Sequence, residues 1–549
     1  MKKKLKIIIL LVSIVGATSC DLNQQTNPSL LSASQANNDY LLNTVQTSLP
    51  AMFQDLSQYG MEVTRILPAT GGNTYSNMYQ PTAFDNIWIN AYAGIFENTK
   101  LLLANATPKK LYFHTGMAKV IQAYTMVALV DYFGDIPYTQ ALDPTNFSPK
   151  TDPSSSVYAA ALAMLDDAIS DLGKTPSAYP AQDLYYGTGV GKVTSSNATK
   201  WITCAKTIKL KIYLNQSLVD KAGSTSAINT LIAGNDLIDN INGTEDFAFF
   251  YPATSFSNPD NYHPWFKNNY QNGAAQYMAN YYMNVMVNAN DPRTKYYFYR
   301  QTVVPITDVN VLSCAGLATP AWFPAGMPFC QLSLGYFGRD FGDNSGINPD
   351  TKLRTVFGQY PIGGLIDNGK AAPLSVTSGL KGQGIFPILM ASYTSFMQAE
   401  AALRLGTTGN PRALLLDGVT KSCIRVVNSP YNPTVALAGS LLTPSTAVKS
   451  YVNQVGTNFD AATDQLNVVA TEYWVALFGS GYEAYNMYRR IGKPTGLQPA
   501  RYTANPGNYY RSFYYPAVYA VRNSNAKQKT DGSVQVFWDN NPADPNWIN

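Results

Sequence analysis

Apolar residues recur at three- and four-residue intervals along both flanks of the chain, and that rhythm stops across residues 243–384. A period near 3.6 marks amphipathic helices, so the flanks are predicted to be helical and the middle irregular. Residues 84–104 place Ile87, Ala91, Ile95 and Leu102 on one face. Residues 117–133 do so with Val120, Ala123, Val127 and Val130, and end at Gly134, a natural helix stop. Residues 154–172 open on serines able to cap and end at Gly173, and residues 198–219 hold Trp201, Cys204, Ile208 and Ile212 in register. Further helices are predicted at 388–405, 412–427, 445–455, 461–478 and 481–491, with one helical island at 275–287. The fold class is therefore mostly α. Helical hairpins over 84–220 and 388–491 form one body, and a large loop-rich lobe over about 243–384 sits on it. A break of that length is either functional or disordered, and its many aromatics favour order. The tetratricopeptide sequence consensus is not found in the hairpins.

The N-terminus has a separate logic. Lys2, Lys3, Lys4 and Lys6 precede an apolar run over 7–15, followed by Gly16, Ala17, Thr18, Ser19 and Cys20. This charged, apolar, small-residue order is that of an export signal. The run is too short to span a bilayer, which takes ~20 apolar residues, so an N-terminal membrane helix is the weaker alternative. The ending resembles a bacterial lipoprotein signal, which implies cleavage after residue 19 and acylation of Cys20. Residues 20–39 are polar and read as a flexible tether, leaving 40–549 as the folded domain.

Lys plus Arg is 39 and Asp plus Glu 35, and four of the positive charges leave with the signal. A near-neutral chain gives no reason to expect nucleic acid as a partner. Charged residues are 13% of the chain, and tyrosines number 38. A surface of amides, hydroxyls and phenols suits uncharged polar ligands. The two histidines, His114 and His263, belong to no metal-spaced cluster. Adjacent Asp166 and Asp167 point to different sides of a helix, so they are not the facing pair a glycosidase needs. No nucleophile elbow or phosphate loop is present. The chain reads as a binding protein with no catalytic residues, metal or cofactor. Cys314 and Cys330 share one Gly/Pro-rich stretch and could pair in an oxidising compartment. Cys204 and Cys423 lie on apolar helix faces as expected buried thiols.

Several short motifs follow one another along the chain. Trp88, Tyr92, Ile95 and Asn98 share the first predicted helix. Ala123-Tyr124 leads to Asp131-Tyr132-Phe133-Gly134-Asp135-Ile136-Pro137-Tyr138, the most specific of the set. Then come Tyr158 with Leu165-Asp166-Asp167-Ala168-Ile169, Lys200-Trp201 with Lys209-Leu210-Lys211, and Asn290-Asp291-Pro292-Arg293. Met397-Gln398-Ala399-Glu400-Ala401 and Tyr473-Trp474 follow, then Gly481-Tyr482-Glu483-Ala484 with Arg489-Arg490. Tyr515-Pro516, Asn523 and Trp538-Asp539 close the series. In this order the chain resembles the SusD/RagB family of outer-membrane nutrient-binding lipoproteins. It departs from the family pattern at Tyr485 and Tyr488, where tryptophans are usual, and at Tyr519, where a glutamate is usual.

The resemblance implies tetratricopeptide-like helices, a ligand lobe built from loops, and a place as lid on a SusC-like TonB-dependent transporter. It implies capture of an oligosaccharide, or in some branches a peptide, at an outer membrane to which the lipid anchors the protein on the cell surface. The motifs themselves read as structural. Trp201 and Trp474 are expected as core anchors, and Glu400 and Glu483 as partners of arginines such as Arg404 and Arg490. Ligand contacts are then expected in less regular segments: Tyr75 and Tyr79 in the loop 70–79, Trp265 and Asn269 in 262–270, and Trp322 beside Phe323. Each of these also suits a packed loop aromatic. The alternatives are a peptide-binding member, a helical scaffold without a soluble ligand, and a surface glycan hydrolase.

Overall fold

A computed structural model describes residues 36–70, 78–187, 193–253, 261–321, 323, 325–343, 353–428, 431–432, 436–500 and 510–542. Residues 1–19, Cys20, Tyr75 and Trp322 lie outside the described residues.

The first helix, α1 (Asn38–Val63), starts inside the stretch read as a tether. The side chain of Asn37 caps it by accepting from the Asp39 N–H at 2.8 Å. Leu42, Val45, Leu49, Met52, Phe53 and Leu56 keep helical spacing and are buried, but Pro50 interrupts the pattern as a sequence. Proline has no N–H to give the carbonyl four residues back. That carbonyl, on Gln46, instead accepts the Tyr185 hydroxyl at 3.0 Å. Tertiary contact thus supplies what the helix lacks. Tyr185→Phe is expected to leave the carbonyl buried and unpaired and to lower stability by about 1–3 kcal/mol. Urea unfolding midpoints read this; an unchanged midpoint would show that another donor takes over.

The next rod, α2, runs through Asp85–Ile89, Asn90–Phe96 and Glu97–Ala106, and its middle segment is a π-turn. The wider turn frees carbonyls, and Asn98 Nδ2 donates to two of them, on Ala93 at 2.8 Å and Gly94 at 2.9 Å. The helices that follow are α3 (Tyr112–Phe133), α4 (Ser154–Leu172), α5 (Ser195–Gln216) and α6 (Lys221–Ala233). The last of these is missing from the periodicity reading, because only Ser224 and Ile228 of its side chains are buried. Beyond Gly134, which takes φ +77, the Asp135 carboxylate accepts from the Ser154 N–H at 2.7 Å and hydroxyl at 2.6 Å, capping α4. The Pro137 carbonyl accepts the Tyr92 hydroxyl at 2.6 Å. The most specific sequence motif is therefore a structural stitch joining α2, α3 and α4.

In the middle lobe, β1 (Phe247–Tyr251) pairs antiparallel with β4 (Gly384–Leu389), and β2 (Phe298–Tyr299) with β3 (Val356–Phe357). The helical island is α7 (Asn280–Asn288), slightly later than 275–287. Cys314 and Cys330 form a disulfide beside a satellite apolar cluster of Ile306, Leu312 and Phe337. A closed loop of this size contributes about 3 kcal/mol in the chain-entropy account. Cys204 and Cys423 are buried free thiols.

The second helical set is α8 (Ala391–Leu405), α9 (Pro411–Val427), α10 (Thr446–Ala461), α11 (Gln465–Ala476) and α12 (Gly481–Ile491). Two expectations need correction. The predicted 388–405 helix overlaps the last two residues of β4, where Ile388 and Leu389 are buried strand residues. The predicted 461–478 helix starts only at Gln465, because Asp464 caps it by accepting from the Asn467 N–H at 3.1 Å. The α12 helix crosses α1 at a pair of glycines. A Cβ on Gly481 would sit 2.0 Å from the Ser57 carbonyl oxygen, and one on Gly60 would sit 2.1 Å from that of Gly481.

Beneath this crossing lies a buried ionic network. Asp131 accepts from Tyr158, from Tyr482 at 2.6 Å, from Asn486 at 2.7 Å and from Trp538 Nε1 at 2.8 Å, with Lys211 at 3.3 Å. Burial opposes its ionisation, yet Lys211, Arg489 and these hydrogen bonds outweigh that and hold its pKa below the usual carboxylate value. Glu400 forms a two-pronged pair with Arg490, both contacts at 2.7 Å, and also meets Arg404 at 2.7 Å. Glu483 lies 3.3 Å from Arg490 and 3.3 Å from Lys211. The expectation that these glutamates serve arginines is met.

Candidate ligand cleft

Where α1 ends against the loop-rich lobe, a cleft of about 310 Å³ opens. Gln58, Tyr59 and Glu62 form one wall, from the last two turns of α1. The extended exit, Leu67 to Thr70, forms the floor with Met78. Ala275, Gln276 and Tyr277 of the lobe form the facing wall.

Several of the polar side chains are held. Tyr59 donates its hydroxyl to the Ala83 carbonyl at 2.9 Å, and its ring meets Phe84 edge-on at 5.0 Å. Gln58 Nε2 donates to Glu62 at 3.2 Å. Burial raises the Glu62 pKa to about 7, against hydrogen bonds from Gln58 and Tyr79 that pull it down. Two turns earlier, burial likewise lifts Asp55 to about 6. Across the cleft, Gln276 Oε1 accepts from Asn269 Nδ2 at 2.9 Å, which leaves the Gln276 amide N–H groups to point elsewhere. Arg354 stacks on the Tyr277 ring at 3.8 Å and Arg339 lies 4.9 Å from it. Hydroxyl acceptors, amide donors and phenol rings are therefore concentrated in one space, which suits a hydroxyl-rich ligand.

The residues singled out from sequence are placed unevenly. Tyr79 is fully buried one layer behind the cleft, packed on Tyr59, Tyr510 and Phe513 at 5.1–6.1 Å. Asn269 is also fully buried and acts on the cleft through Gln276. Trp265 is enclosed by Phe357 at 5.4 Å and Phe386 at 5.2 Å, so neither ring face is open to solvent. Tyr75 precedes Met78 of the floor, but it lies, like Trp322, outside the described residues. Of the chosen segments, 70–79 supplies Thr70 and Met78 to the cleft, while 262–270 reaches it only through the Asn269–Gln276 bond. Gln58, Glu62, Gln276 and Tyr277 carry no sequence signal beyond flanking those segments.

A larger cavity, about 610 Å³, lies between α6, α8 and α9. It has carboxylates but no aromatic ring in its wall. Lys421 neutralises Asp239 and Asp417, and Glu245 accepts from the backbone N–H groups of Asp239 and Asn240 at 3.2 and 3.1 Å. Its acids already have protein partners and its wall offers no ring, so the smaller cleft is the better candidate. No group of histidine, cysteine and acidic side chains fit to hold a metal ion occurs among the described residues.

Residues 20–313 match the family model described as starch-binding, associating with the outer membrane, and residues 375–538 match the one described as SusD and RagB outer membrane lipoprotein. The chain belongs to the SusD/RagB family. Among solved structures, this SusD/RagB chain is similar to one described as a chitin-binding protein, with a TM-score of 0.68 at 18% identity over 92% of this chain and 100% of that one. It is similar to a SusD homologue from Bacteroides fragilis, with a TM-score of 0.64 at 17% identity over 92% and 99%. It is also similar to a chitin-binding SusD homologue from Flavobacterium johnsoniae, with a TM-score of 0.61 at 17% identity over 91% and 99%. At such identities the likeness establishes the fold, mostly helical with tetratricopeptide-like hairpins. The curated proteins give no match. No helix among the described residues is long and apolar enough to cross a membrane.

Proposed function

We propose that this SusD/RagB protein captures an oligosaccharide in the α1–lobe cleft and delivers it to a SusC-like TonB-dependent transporter. In this reading acylated Cys20 anchors it to the outer membrane on the cell surface, and its work is binding and release without bond making. The observation that carries the reading is the cleft itself, where Tyr59, Tyr277, Gln58 and Gln276 gather phenols and amides in a fold whose relatives include two structures described as chitin-binding. Phenol rings lie against the apolar faces of sugars while amides and carboxylates meet their hydroxyls.

The test is calorimetry of the mature chain, residues 21–549, against neutral and acidic glycans and mixed peptides. Saturable binding to one glycan class is expected. Tyr277→Ala is expected to weaken it at least tenfold with a melting temperature close to that of the parent. Tyr75→Ala and Trp322→Ala ask whether those rings also meet the ligand. Binding of peptides alone, or of nothing, overturns the oligosaccharide reading.

A further inference from the structure

Glu62 is the one charged side chain among the described residues lining the cleft. Its hydrogen-bond partner is the uncharged Gln58, with the Tyr79 phenol nearby, and no lysine or arginine among the described residues forms an ion pair with it. A half-buried carboxylate without a cation is costly to keep. Several acids of the core are matched by cations, Asp131 with Lys211, Glu400 with Arg490 and Asp343 with Arg339, while buried Asp183 is satisfied by two backbone N–H groups, Asn197 and Trp201. An acid left unmatched at the wall of an open cleft is one whose missing partner comes from outside.

Resting on the oligosaccharide reading, we infer that Glu62 is the specificity-determining residue of the cleft, selecting neutral or amine-bearing sugars and rejecting acidic ones such as uronic acids. The chemistry follows from the arrangement. Gln58 holds the carboxyl through a bond of 3.2 Å. The group then accepts hydrogen bonds from hydroxyl, amide or ammonium donors of the ligand, and it repels a ligand carboxylate across a short, partly desolvated distance. The charged and titratable groups around it are few. Asp55 and Tyr59 stand on its own helix, Tyr132 on α3 and Tyr79 on the segment behind. Across the cleft is Tyr277, with Arg354 stacked on its ring and Arg339 paired to Asp343. The pKa of Glu62 near 7 adds a second handle, since the repulsion deepens as the carboxyl ionises between pH 6 and pH 8.

The experiment uses one sugar backbone in three charge states: a β-1,4-linked glucosamine pentamer with its amines free, acetylated or succinylated, titrated into the mature chain. The free and acetylated pentamers are expected to bind at least tenfold more tightly than the succinylated one at pH 8, with a narrower gap at pH 6. In Glu62→Gln the succinylated pentamer is expected to come within about threefold of the acetylated one, and Glu62→Ala serves as a second variant, with melting curves confirming that both fold. Equal binding of acetylated and succinylated pentamers by the parent chain, or an unchanged gap in folded Glu62→Gln, overturns the inference and leaves the glycan reading standing. Failure of the parent chain to bind any of the three overturns the inference, and the oligosaccharide reading is then decided by the wider glycan panel.

Discussion

Arg490→Met lowers the stability of the folded chain by about 3–5 kcal/mol, the usual consequence of removing one member of a buried pair. The guanidinium and the Glu400 carboxylate are each no more than 1% exposed and meet through two bonds of 2.7 Å, and a third nitrogen reaches Asn215 at 2.7 Å. Methionine fills much of the same volume, so packing survives while the charge balance does not. Glu400 keeps only Arg404, which is 15% exposed, and Glu483 keeps only Lys211. The measurement is the urea midpoint, set beside Glu400→Gln and the double variant. Strong non-additivity in that cycle is expected. A loss below about 1 kcal/mol would mean that the pair behaves as an exposed one.

Trp474→Ala is expected to cost a similar amount, about 3–5 kcal/mol for loss of a buried tryptophan. The indole meets Tyr282 of α7 edge-on at 4.6 Å, and its Nε1 donates to the Thr64 carbonyl at 2.8 Å, just past the end of α1. It therefore ties the wall that carries Glu62 to the lobe that carries Tyr277. Trp474→Phe separates the two roles. It keeps most of the ring but strands the Thr64 carbonyl, for an expected loss of about 1–3 kcal/mol. Both variants should weaken glycan binding through the relative placement of the walls, although Trp474 touches no ligand. If Trp474→Ala melts like the parent chain, the core contact described for it is wrong.

Elements whose ends are locally coded were readable in the sequence. The α4 helix is bounded by Ser154 and Gly173 and α12 by Gly481 and Gly492, and both occur at the positions expected. Elements completed by distant contacts were not. The helix α1 survives Pro50 because Tyr185, far along the chain, takes the stranded carbonyl. The π-turn in α2 leaves the apolar spacing nearly intact, so periodicity reports a plain helix there. The candidate site was less legible, for a similar reason. An aromatic in a loop suits either a ligand or a core, and the choice depends on rings contributed from elsewhere. Tyr79 is claimed by Tyr510 and Phe513, and Trp265 by Phe357 and Phe386. Glutamine and glutamate attract no notice in a polar chain, yet Gln276 and Glu62 face the open space.

The bond from Trp538 to Asp131 spans 407 residues of sequence. A ribosome makes Asp131 long before Trp538, so the early helices are finished while one of the donors to their central carboxylate does not yet exist. Contacts of such separation form slowly, since a long loop must close first. Until Trp538 arrives, α3 carries a buried acid short of a partner, and the half-made molecule has reason to remain loose. In the proposed reading of an exported lipoprotein, that arrangement gives the chain time to cross a membrane before it folds, with Trp538 acting as the latch.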